Sequence, residues 1–157
     1  MVQIAIALIL ATFASAGLEE GNGLPTNLKG GPFQSTLEIM WRTSPTFRRQ
    51  CLRIAAEPAL TVRLRAEAGQ KPGSPRARTE FSRRGGALTL ADVVISDARD
   101  RIELIAHELE HVIEQIEGLR LRESSCAVDN YRTSSHESCR AIDAGRRIAR
   151  EVEEAER

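Results

Sequence analysis

The segment from Ile102 to Gly118 constrains this chain more than any other. Ile102, Ile105, Ala106, Leu109, Val112, Ile113 and Ile116 recur at the three- and four-residue spacing of one helical face. A helix here must lay that stripe on a core. Ser96 or Asp97 reads as its N-cap, Asp100 and Glu103 suit its positive end, and Gly118 marks its stop. The flank of the same helix spells His107-Glu108-Leu109-Glu110-His111. Residues four apart stack on one helical face, so the two imidazoles converge at the border between core and cleft.

That spelling, H-E-x-x-H, carries chemistry. Neutral imidazole nitrogens bind Zn2+ at about 2.0–2.1 Å. A glutamate one step round the helix sits beside such an ion and can take a proton from its bound water. In 157 residues with three His and 17 Glu, the motif arises by chance at roughly the 0.6 % level. All three histidines fall between residues 107 and 136. The bland alternative is a solvated helix face carrying two ordinary histidines.

The length suits one domain, and 41 % hydrophobic with 28 % charged residues suits an ordinary core. The net charge of zero is unevenly spread. Residues 42–84 carry ten Arg and Lys71 against Glu57, Glu67 and Glu80, whereas residues 85–157 carry ten Arg against sixteen acids. Basic strands beside acidic helices in one domain account for this. Aromatics are only 4 %, too few for the stacking platforms of a nucleic-acid binder, so none is expected as a partner.

Val2–Phe13 is almost wholly apolar, and Ala14-Ser15-Ala16 offers small residues for a signal peptidase. Residues 1–16 therefore read as a signal peptide cleaved after Ala16. The chain is expected to be secreted or periplasmic, with no membrane association after cleavage. The apolar run is shorter than the ~20 residues of a spanning helix. Export permits disulfides. Cys126 and Cys139 flank a polar loop and are the expected pair, and Cys51 reads as a buried free thiol.

Residues 17–43 read as a loose leader, rich at first in Gly, Asn and Pro, ahead of a domain spanning 44–157. Ser44-Pro45 predicts a helix start, with Ser as N-cap and Pro in the first turn, and a run to about Ala56. Leu60–Arg65 alternates as a half-buried strand, 76–82 reads as a polar strand, and Ala87–Ile95 as a third strand after an Arg83-Arg84-Gly85-Gly86 turn. A last helix is expected from Ser134 or Ser135. Its stripe is Ala141, Ala144/Gly145, Ile148 and Val152, with small residues that allow a close helix approach.

A catalytic zinc site needs three protein ligands and an open position. Glu137 is the candidate third ligand, four residues before Ala141 at the start of the last stripe. His136 is the rival, and Ser134-x-x-Glu137 also spells a capping box that would occupy the glutamate. Asp129 and Glu123 are weaker candidates on the loop.

The helix around Ala106–His111, followed by a glutamate on a later helix, resembles the gluzincin class of zinc metallopeptidases. More narrowly it resembles small exported bacterial proteins with a minimal zincin core. The resemblance spans roughly 44–155. It implies an α+β, zincin-like fold: a small twisted sheet with a backing helix, an active-site helix and a C-terminal glutamate helix. It implies Zn2+ held by His107, His111 and Glu137, with Glu108 as general base. It also implies that residues 87–95 form the edge strand, to which an extended peptide or protein substrate pairs by strand addition. The chain departs from the pattern at two points. Glu137 follows His111 by 26 residues, a longer gap than in larger gluzincins, and Ala141 stands where such enzymes often carry a histidine-orienting Asp.

The expected reaction is hydrolysis of a peptide or other amide through metal-activated water. Tyr131 is the only loop tyrosine available to stabilise an oxyanion, and a lone tyrosine there reads as packing or surface. A zinc-binding, non-proteolytic module is the first alternative. An exported helical binding domain with an incidental motif is the second.

Overall fold

A computed structural model of the chain describes residues 23–68, 75–96, 99–119 and 138–157. Residues 1–16, Cys126, Tyr131, His136 and Glu137 lie outside them. The elements run β1 (Leu28–Lys29), a short 3-10 turn (Gly31–Phe33), α1 (Gln34–Thr43), α2 (Pro45–Ala55), β2 (Thr61–Ala66), β3 (Ala77–Arg84), β4 (Ala87–Ile95), α3 (Arg101–Ile116) and α4 (Cys139–Ala155). The class is α+β: the described residues form one four-stranded mixed sheet and four α-helices.

The strands lie in the order β1-β2-β4-β3. β1 and β4 run parallel to β2, and β3 runs antiparallel to β4. Alternation decides which face is covered. Val62 and Leu64 of β2 are buried while Arg63 and Arg65 are not, and Ala91, Val93 and Ile95 of β4 share the core side. The helices lay Leu37, Met40, Phe47, Ile54, Ile105, Leu109, Val112, Ile113, Ile148 and Val152 into the same core. On the outer face Arg63 sits opposite Asp92 and holds it bidentately, both bonds 2.8 Å. Gly85 and Gly86 both take positive φ, 57° and 85°, as a two-residue hairpin between β3 and β4 requires.

Two expectations need correction. Residues 28–43 are part of the domain, not a loose leader. β1 extends the sheet and α1 buries Leu37 and Met40 completely. The Asn27 amide further stitches this segment to the end of α2, within 2.8–3.1 Å of the Ile54, Glu57 and Leu60 carbonyls. Residues 87–95 are not an edge strand. β4 is hydrogen-bonded to β3 along its length and to β2 over Leu90–Ile95, so it lies inside the sheet. The hairpin places β3 at the end of the strand order instead.

The helix ends are decided locally. Ser44 caps α2, its Oγ accepting from the Phe47 N–H at 3.0 Å. That hydroxyl donates in turn to Glu151 of α4 at 2.5 Å, and the Thr46 N–H and Oγ1 donate to the same carboxylate. α3 closes on Gly118 (φ 71°), with Leu119 N–H on the Glu114 carbonyl and Gly118 N–H on the Gln115 carbonyl, a Schellman stop. Its start differs from expectation. The N-cap is Asp100 in the left-handed region, without a side-chain cap, because the Asp100 carboxylate is engaged by Arg76 at 2.9 Å. α4 also starts later than expected. Its N-cap is Ser138, whose Oγ accepts from the Ala141 N–H at 3.0 Å, so Ser134 is not the cap of this helix. Among the described residues no helix is long and apolar enough to cross a membrane. Cys51 is a buried free thiol. Cys139 is disulfide-bonded, and its expected partner Cys126 lies outside the described residues.

Candidate metal centre

α3 is buried almost all round between Ile105 and Glu114. The sheet covers its apolar stripe, α2 covers the next strip, and α4 crosses the face beyond. Four of the residues so enclosed are ionisable: Glu108, Glu110, His111 and Glu114. A buried charge is tolerated only with partners, and each of these four has them.

His107 and His111 converge as the four-residue spacing requires. Their Nε2 atoms are 3.1 Å apart, with the rings nearly perpendicular at 84°. Two zinc–nitrogen bonds of about 2.0–2.1 Å at the tetrahedral angle need nitrogens about 3.4 Å apart. The pair is within a few tenths of an ångström of that geometry, so its donor chemistry and spacing fit zinc. In the absence of a metal the same 3.1 Å serves as an N–H···N hydrogen bond. Among the described residues no group of three or more His, Cys, Asp or Glu is placed to hold a metal ion. The expected third ligand, Glu137 or its rival His136, lies outside those residues, immediately before the Ser138 cap.

Glu108 reaches the edge strand β3. It is 7 % exposed, and Thr79 Oγ1 of β3 donates to its Oε2 at 2.7 Å. The carboxylate therefore lies between the histidine turn and the edge strand.

Glu114, three residues after His111, is 1 % exposed. One oxygen lies 2.8 Å from His111 Nδ1, and the other accepts from Ser138 Oγ at 2.5 Å. Burial pushes this carboxyl up. The hydrogen bonds from His111 and Ser138, with the charge of Arg140, outweigh that and hold it below the usual carboxylate range. The resemblance implied an orienting acid at position 141, and Ala141 cannot serve. Spacing along α3 was a signal for Glu114, since residues three apart on a helix are neighbours. Thr79 and Ser138 carried no signal of their own, because both contacts join elements distant in sequence.

Behind the motif, α3 is clamped to its neighbours. The Gln50 amide of α2 donates to the Ala106 carbonyl at 3.0 Å and to Glu110 at 2.6 Å. Arg140 of α4 bridges Glu110 and Glu117, and Arg53 of α2 reaches Glu117 at 3.1 Å. A cavity of about 680 Å³ lies on this side, between α2, α3 and α4, lined by Arg49, Arg53, Arg140 and Arg147 among others. Neither His107 nor His111 lines it.

No protein-family model matches this chain, and no curated protein and no solved structure shows significant similarity to it.

Proposed function

We propose that this chain is an exported zinc-dependent metallopeptidase that hydrolyses peptide bonds with Glu108 as general base. The observation that supports it is the convergence of the His107 and His111 Nε2 atoms at 3.1 Å, with the Glu108 carboxylate one residue away on the same turn. His107 and His111 would hold the zinc, with Glu137 as third ligand. When bound, zinc supplies a Lewis acid that acidifies water and polarises an amide carbonyl. Glu108 accepts the water proton and passes it to the leaving amine. Thr79 orients the Glu108 carboxylate from β3. Among the described residues the outer edge of β3 has no ladder partner, so an extended peptide adds there rather than at 87–95. Residues 1–16 direct the chain out of the cytoplasm and are cleaved after Ala16.

The test is metal content and turnover together. Purified protein is expected to hold one zinc per chain by elemental analysis. A chelator should abolish cleavage of an unfolded protein substrate, and added zinc should restore it. His111→Ala should lose the metal. Protein without stoichiometric zinc would sink the reading.

A second reading has one observation in its favour. Glu108 is only 7 % exposed and already accepts from Thr79, which suits a zinc-binding module that does not cleave peptides. Stoichiometric zinc with no hydrolysis across a peptide library selects this alternative.

A further inference from the structure

To bind an ion, His111 must present a ring lone pair to it, and the polar contacts around Glu114 decide which nitrogen carries that lone pair. Ser138 Oγ has a single hydrogen. As the N-cap of α4 it accepts from the Ala141 N–H, so its hydrogen is given to Glu114 Oε1, 2.5 Å away. An ionised carboxylate has acceptors only. The hydrogen in the 2.8 Å contact between Glu114 and His111 must then sit on Nδ1 of the imidazole. In a neutral ring this leaves Nε2 with its lone pair, and Nε2 is the atom that faces His107 at 3.1 Å.

We propose that Glu114 is a positioning residue of the metal centre: it holds His111 as the Nδ1–H tautomer, and Ser138 holds Glu114 in place from the first turn of α4. This proposal rests on the metallopeptidase reading for its purpose, but not for its geometry. Its consequence is that the N-cap of α4 and the ligand on α3 form one unit. Loosening the cap weakens the grip on the metal without touching a ligand. Carboxylate partners of ligating histidines fix ring orientation and raise basicity, and their removal lowers metal affinity about 10–100-fold.

The experiment reads tautomer and affinity separately. Nitrogen NMR of the metal-free protein, at a pH where His111 is neutral, is expected to show Nδ1 protonated. Glu114→Gln has one acceptor oxygen for two donors, so with Ser138 donating to that oxygen its NH2 faces His111 Nδ1, the ring shifts toward the Nε2–H tautomer, and zinc affinity, measured by competition with a chromophoric chelator, falls about 10–100-fold. Glu114→Met removes the acceptor, so both tautomers appear and affinity falls at least as far. Ser138→Ala lowers affinity in the same direction, and Ser138→Thr restores it. Thermal melts confirm that each variant is folded. An Nε2–H tautomer in the wild type, or unchanged affinity in folded Glu114→Met, overturns the proposal. If the wild type takes up no zinc, the metallopeptidase reading fails, while the tautomer still decides this one.

Discussion

Gly145 of α4 faces His107 of α3 so closely that a Cβ built on the glycine would lie 3.3 Å from the histidine Cβ and 2.9 Å from the Glu103 carbonyl oxygen. The glycine is there for space, because its helix crosses the histidine turn at backbone distance. Gly145→Val is expected to push α4 off α3 and destabilise the domain by about 1–3 kcal/mol. Urea denaturation measures this. A variant as stable as the wild type would show that the helices separate at no cost.

Glu108→Gln separates structure from chemistry. The amide oxygen still accepts from Thr79 Oγ1, so the fold and zinc uptake should persist while hydrolysis falls by about 10²-fold or more. Equal turnover by wild type and variant would remove Glu108 from the mechanism. Thr79→Val is expected to cost about 1–3 kcal/mol by leaving one oxygen of a buried carboxylate short of a donor.

Glu151 makes stability depend on acid. Burial pushes its carboxyl up, but hydrogen bonds from Ser44 Oγ and from the Thr46 side chain and N–H outweigh this and hold it below the ordinary value. Its folded-state value is therefore the lower one. The anchor contributes fully above about pH 4.3, the unfolded value, and is lost as pH falls through the folded value. Denaturant midpoints between about pH 6 and pH 3 should fall more steeply for wild type than for Glu151→Gln, by the equivalent of about 1 kcal/mol. Parallel profiles would contradict the assignment.

Thiol labelling tests the cysteine reading. Cys51 is fully buried, and burial pushes its thiol far up, so a water-soluble thiol reagent should not modify the native protein. On unfolding without reductant, one of the three cysteines should react, as a Cys126–Cys139 bridge requires. Labelling of all three would exclude that pairing.

Much of the fold was legible where local chemistry decides it. The Ser44 cap, the Gly118 stop and strand β4 at 87–95 follow from capping, turn and alternation rules that act within a few residues. α1 was not legible, because its buried face is only Thr36, Leu37 and Met40 in a largely polar segment. Strand order was not legible either. The resemblance implied an edge at residues 87–95, and alternation could not correct it, because alternation reports burial of a face, not occupancy of the two sides.

The sequence by itself determined that His107 and His111 would share a face, since residues four apart on a helix stack one above the other. Only the tertiary structure decided what surrounds them. It brought Thr79 of β3 to Glu108 and Ser138 of α4 to Glu114, and gave Gly145 its close seat on His107. The physical reason is range. Ligand spacing is written into one helical turn, whereas the partners that orient those ligands come from elements joined only by packing.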